Sequence, residues 1–91
     1  MTASDRAQLE RGDAYLRQGD VASARLIYLQ LARKNIADGA FGMANTFDPE
    51  YLETLGVRGL KPDLAEAKKW YVKAQSLGSP LAARRLSTLG R

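Results

Sequence analysis

Apolar residues recur along this chain at the three- and four-residue spacing of amphipathic helices, and glycine, proline and aspartate cut the pattern into segments. A first helix is predicted to about Gln18, with Ser4 or Asp5 as its cap. Ala7, Leu9, Ala14, Tyr15 and Leu16 are its apolar positions, set among Arg6, Glu10 and Arg17. Gly19 suits the left-handed residue that closes a helix, and Asp20 at once caps a second helix over residues 21–35. There Ala24, Ile27, Tyr28, Leu31 and Ala32 form the buried stripe. So short a connection makes the two helices antiparallel neighbours.

A third helix is predicted over residues 36–47. It is rich in small residues, and Gly39 and Gly42 each cost about 1 kcal/mol of helix stability relative to Ala. Two such glycines in one short helix imply close approach by a neighbouring backbone. Asp48-Pro49 breaks and restarts the chain, because Pro is tolerated at the first helical position. A short helical turn over residues 49–55 should end at Gly56, with residues 57–62 as loop. Asp63 caps the next helix, Glu66 stands where a capping box needs an acid, and Leu64, Ala67, Trp70, Tyr71 and Ala74 share one side. Gly78 closes that helix and Ser79-Pro80 opens the last, which runs to about Leu89. No run alternates with period two over a strand's length, so the fold class is all-α.

The segments repeat. Ala67, Tyr71 and Ala74 stand in the same relation as Ala24, Tyr28 and Leu31, and Ile36 and Ser79 each follow five residues later, where the next helix begins. Upstream, Ala40, Ala44 and Phe47 align with Gln8, Gly12 and Tyr15. The second copy is longer by eleven residues, all between its paired helices. In each copy a small residue lets the partner helix approach and an aromatic from that partner fills the space.

Gly12-x-x-Tyr15 with Ala24, Tyr28 and Leu31 resembles the tetratricopeptide pattern of small and aromatic positions. Across residues 37–86 the likeness narrows: a Gly-containing loop, Asp63, Ala67, Trp70-Tyr71, Lys73-Ala74 and Gly78 look like the Sel-one-like repeat. Gly42 and Ala44 depart from that subfamily's usual Leu-Gly, and Asp48-Pro49-Glu50-Tyr51 interrupts the exit of the helix. The resemblance implies one domain over residues 1–91, a right-handed superhelical stack of about five helices plus the inserted turn. Its parts are a first hairpin (4–35), a second, Sel-one-like hairpin (36–78) with an insertion at 48–60, and a capping helix (79–91). In the cap, Leu81, Leu86 and Leu89 should cover the second hairpin, with Arg84, Arg85 and Arg91 on the wet side.

In this superfamily the first helices of successive hairpins line a concave groove that takes peptides. The resemblance places Arg6, Leu9, Asp13 and Leu16 there from the first hairpin, Asp38, Phe41 and Asn45 from the second, and Arg84 and Thr88 from the last helix. Phe41 has two readings: a contact in the groove, or a core residue against the inserted turn. The expected function is non-catalytic binding of a protein or peptide, with homo-oligomerisation through the exposed hairpin ends as a further mode.

Charge adds one alternative. Residues 1–56 hold six Lys and Arg against eight Asp and Glu, whereas residues 57–91 hold eight against two. A basic second half could attract nucleic acid or another anionic surface. The plainer reading is that these cations solvate outer helix faces and complement helix C-termini, so nucleic acid ranks below protein as a partner. Without Cys or His there is no disulfide scaffold, thiolate zinc site or imidazole base. Phosphate-binding loops and nucleophile motifs are absent too, so neither enzyme nor cofactor is expected. The acids Asp48, Glu50 and Glu53 cluster, but capping and surface roles account for each better than a metal does. Tyr15, Tyr28, Trp70 and Tyr71 fall at core positions of the repeat, which favours packing over base stacking. No apolar run approaches the roughly 20 residues of a membrane span, and the first residues lack the order of a secretory signal. The cytoplasm is the default expectation; a segment of a larger exported chain would read the same.

Overall fold

The computed structural model describes residues 1–57 and 60–89. These form six helices and no strand: α1 (Ala3–Arg17), α2 (Val21–Arg33), α3 (Ala37–Asn45), α4 (Pro49–Thr54), α5 (Leu64–Ser76) and α6 (Pro80–Leu89). Two residues of the expected loop, Arg58 and Gly59, and the Arg91 expected on the wet face of the last helix lie outside the described residues.

Most boundaries follow the capping chemistry. Backbone N–H groups of Ser23, Glu50 and Glu66 donate to the carboxylates of Asp20, Asp48 and Asp63, and that of Ala82 donates to Ser79 Oγ. These bonds satisfy donors that have no partner inside the helix. The first helix departs from expectation, since its cap is Thr2 rather than Ser4 or Asp5. Asp5 N–H donates to Thr2 Oγ1 at 3.0 Å and Thr2 N–H donates to Asp5 Oδ2 at 3.1 Å, a reciprocal capping box. Asp5 also pairs with Lys34 at the far end of α2. The capping box expected at Asp63 is one-sided, because the Glu66 carboxylate lies instead 3.8 Å from Lys69. Helix α2 ends two residues early, where Asn35 takes a positive φ of 60°.

Each long helix runs back against its predecessor. Gly12 of α1 faces Tyr28 of α2, and Gly39 and Gly42 of α3 face Leu31, Ala32 and Tyr28 of the same helix. A Cβ on Gly39 would stand 2.6 Å from the backbone nitrogen of Ala32, which explains why α3 gives up helix propensity for glycine. Further on, α3 packs against α5 and α5 against α6.

Two apolar clusters result, one around Tyr28 with Leu16, Val21, Met43 and Leu52, the other around Tyr71 with Ala44, Ala67 and Ala82. Phe47 and Trp70 pack against both. The inserted helix α4 folds back on the first hairpin: Leu52 is buried in the Tyr28 cluster, with Tyr51, Leu55 and Val57 packed beside it. Burying Leu52 contributes roughly 1.5–3 kcal/mol toward holding this six-residue helix in place. In α6, Leu86 and Leu89 pack as expected, but Leu81 is 52% exposed. Ala82, one residue on, takes the buried position against α5 in its place.

Candidate functional site

Between α1, α3, α4 and α6 lies an open cleft in two lobes. One, of about 340 Å3, is bounded by Phe41, Tyr51, Leu81, Arg84 and Thr88. The other, of about 440 Å3, reaches toward Leu9, Asp13, Arg17 and Asp38. Phe41, Asn45, Tyr51 and Leu81 line both, so the lobes are continuous.

Helix phase explains which side chains arrive there. Asp38, Phe41 and Asn45 recur at three- and four-residue intervals on α3, as do Leu81, Arg84 and Thr88 on α6. The inserted helix closes one side with Tyr51 and Thr54. Phe41 packs on α5, where its ring lies 5.7 Å from that of Tyr71 at a tilt of 54°, and it also lines the cleft.

Of the groove residues expected from sequence, Leu9, Asp13, Asp38, Phe41, Asn45, Arg84 and Thr88 come together in this cleft. Two do not. Leu16 is 2% exposed in the core beside Val21 and Tyr28, so it cannot meet a ligand. Arg6 is exposed on α1 and borders neither lobe. Sequence reasoning missed Tyr51, Leu81 and Arg85. The sequence pattern puts the first two in the insertion and the core, and Arg85 on the wet side of the last helix.

Arg85 in fact turns inward. Its Nε donates to Asp48 Oδ2 at 2.8 Å, and its Nη2 donates to Asp48 Oδ1 at 3.0 Å and Glu50 Oε2 at 3.1 Å. This two-pronged geometry is the strong form of the carboxylate–guanidinium contact. The Tyr71 hydroxyl stands 2.7 Å from Asp48 Oδ2 and 2.8 Å from Asn45 Oδ1. One hydroxyl proton cannot serve both, so it goes to the charged acceptor, and an Asn45 amide turned over would present its NH2 to the hydroxyl oxygen. Burial works to raise the Asp48 pKa, but hydrogen bonds from Arg85 and Tyr71 outweigh it and leave the carboxyl below its ordinary value. Burial, followed by the hydrogen bond to Asp48, pushes the Tyr71 hydroxyl up, and the Asp48 hydrogen bonds do the same for Arg85.

Chemically the cleft offers apolar surface and fixed hydrogen-bonding groups. Asp48 and Glu50 are engaged by Arg85, and Asp13 accepts from the Tyr28 hydroxyl at 2.5 Å. Among the described residues no three or more Asp or Glu gather as metal ligands would. No described helix is long and apolar enough to cross a membrane. The basic second half divides, with Arg85 drawn into the cleft floor and Lys61, Lys68, Lys69 and Lys73 exposed. No protein-family model, no curated protein and no solved structure matches the chain.

Proposed function

We propose that this chain is a non-catalytic protein-interaction module of the tetratricopeptide type, with a Sel-one-like second hairpin, that holds a peptide segment in the cleft between α1, α3, α4 and α6. The observation that carries the reading is the continuity of the cleft past Phe41. It has an apolar floor of Leu9, Phe41, Tyr51 and Leu81 and a polar rim including Asp38, Arg84 and Thr88. Such a lining suits a side chain or two seated between rim hydrogen bonds. The exposure of Leu81 and the half-buried ring of Phe41 leave apolar surface for a partner to cover. The one buried carboxylate of the cleft, Asp48, is engaged by Arg85 and Tyr71, which favours binding over proton transfer. Two hairpins make a short cleft, so a lone peptide should bind at about micromolar strength or weaker.

Peptides selected from a displayed library and titrated calorimetrically against wild type, Phe41→Ala and Arg84→Glu would test this. A loss of about tenfold or more in each variant is expected, since central aromatics and arginines dominate interfaces. Unchanged affinity in both would remove the cleft as the binding surface.

A further inference from the structure

On another side of the molecule, α2 and α5 leave a recess of about 240 Å3 between them. Its walls are Leu29, Ala32 and Trp70, and its rim is Arg33 and Lys73. Both cations sit in the last turns of their helices, are exposed, and form no salt bridge among the described residues. The acids of these two elements, Asp20, Asp63 and Glu66, are all at the opposite, N-terminal ends. Leu26 lies three residues before Leu29 on α2 and is 68% exposed, so it extends the apolar wall outward. The feature is therefore an apolar slot with a rim of one sign.

We infer that this recess is a second docking surface, distinct from the cleft, for an acidic peptide segment that inserts one apolar side chain between Leu29 and Trp70 and sets carboxylates against Arg33 and Lys73. Charge complementarity selects the partner. A neutral segment would leave two cations partly desolvated without compensation, whereas an acidic one gains both pairs and is steered toward them. Shape selects a peptide over the other anionic partners. Single-stranded nucleic acid stacks on exposed aromatic faces; Trp70 is half-buried and serves as a wall. A bilayer lies on protruding apolar groups and does not fill a slot between two helices.

Trp70 is the only tryptophan in the chain, so its fluorescence reports this recess directly. The test titrates three probes at low and moderate salt: displayed-library peptides rich in Asp and Glu around a Leu or Phe, vesicles containing phosphatidylserine, and a short single-stranded DNA. The acidic peptides should shift Trp70 emission to the blue with a Kd tighter than about 1 mM and weaken as salt rises. Their Gln-substituted versions should bind at least about tenfold more weakly, as should the acidic peptides to Arg33→Glu/Lys73→Glu. Both substituted positions are exposed, and circular dichroism would check that the variant keeps its helices. Arg84→Glu, an exposed change on α6 away from this recess, should leave the response in place, so loss of the cleft reading and loss of this one are separable. The inference is overturned if the peptides leave the emission unmoved, if the Gln versions bind equally well, or if vesicles or DNA give the tighter response at this site.

Discussion

The first hairpin, α1 with α2, and the second, α3 with α5, are closed by the same bonds across connections of very different length. In the first, Asp20 N–H donates to Tyr15 O at 2.9 Å across four residues, 16–19. In the second, Asp63 N–H donates to Phe47 O, also at 2.9 Å, across fifteen residues, 48–62. One turn further in, Tyr28 meets Asp13 and Tyr71 meets Asn45, the corresponding residues of the two copies. Eleven extra residues thus leave the register of the hairpin unchanged, as expected when loop-closure entropy grows only with the logarithm of length. The hairpins differ in what covers the tyrosine from the far side. Tyr28 is roofed by Gly42, which lets α3 come close; Tyr71 has Arg85 at the matching position, held by an Asp48 that matches Leu16. The second hairpin exchanges an apolar contact for a buried ion pair and gains a cleft beside it.

The largest effect should come from breaking that pair. Asp48 is 1% exposed and caps α4 as well, so Asp48→Ala leaves Arg85 with only the exposed Glu50 and should cost about 3 kcal/mol, read from urea denaturation. Leu16, its counterpart, has no such dependence on pH. The folded Asp48 pKa lies below the unfolded value of about 3.9, so its stabilisation is complete above that value and fades as pH falls through the depressed pKa. Asp5, lowered to about 2 by hydrogen bonds from Lys34 and Thr2, fades over the same acid range. The stability gap between wild type and Asp48→Asn should therefore narrow as pH falls below about 4. A gap that stays constant there would show that the carboxylate charge is not what holds Arg85.

Next comes the helix approach. Gly39→Ala places a methyl against the backbone of α2, which cannot step aside, and should cost about 2–3 kcal/mol despite the gain in helix propensity. At the matching place in the other junction stands Ala82, fully buried against α5. Ala82→Gly should cost only about 1 kcal/mol, with no clash involved. Equal costs would mean that the two junctions are equally tight.

The paired tyrosines separate the copies more finely. Tyr71→Phe removes a donor from a buried carboxylate and should cost about 1.5–3 kcal/mol. Tyr28→Phe leaves Asp13, which is only half-buried, able to turn to water and should cost about 1 kcal/mol. Thermal unfolding of the two variants side by side would decide it, and a larger loss from Tyr28→Phe would reverse the ranking of the hairpins.

What the sequence revealed and what it hid follow from range. Asp20, Asp48, Asp63 and Ser79 act on residues two or three positions away, so their capping is visible in a single line of letters. At the first helix, Thr2, Ser4 and Asp5 have equal capping chemistry, and only the reciprocal bond selects Thr2 among them. Arg85 and Asp48 are 37 residues apart, and a charged residue on an amphipathic helix ordinarily faces water. Leu16 lies in the core instead of the groove, and Leu81 at the surface instead of the core, for a related reason. Leucine fits either side, and one residue of helix phase, about 100°, decides which.

The smallest effect concerns how each hairpin ends. Asn35 and Gly78 occupy matching places after α2 and α5, and both adopt positive φ, 60° and 102°. Asn tolerates the left-handed region better than most residues, but glycine enters it without a Cβ penalty. Glycine also has more freedom to lose on folding, which offsets part of that gain. Asn35→Gly should therefore stabilise by less than about 1 kcal/mol, and Gly78→Asn should destabilise by a comparable or larger amount because 102° lies beyond the usual left-handed well. Differential calorimetry can resolve the pair, since about 1 kcal/mol moves the midpoint of a domain this size by several degrees. If Gly78→Asn were neutral, the second hairpin would be relaxing its exit by shifting α6. In that case the Arg85–Asp48 contact should loosen too, and Asp48→Ala made in that background should lose part of its cost.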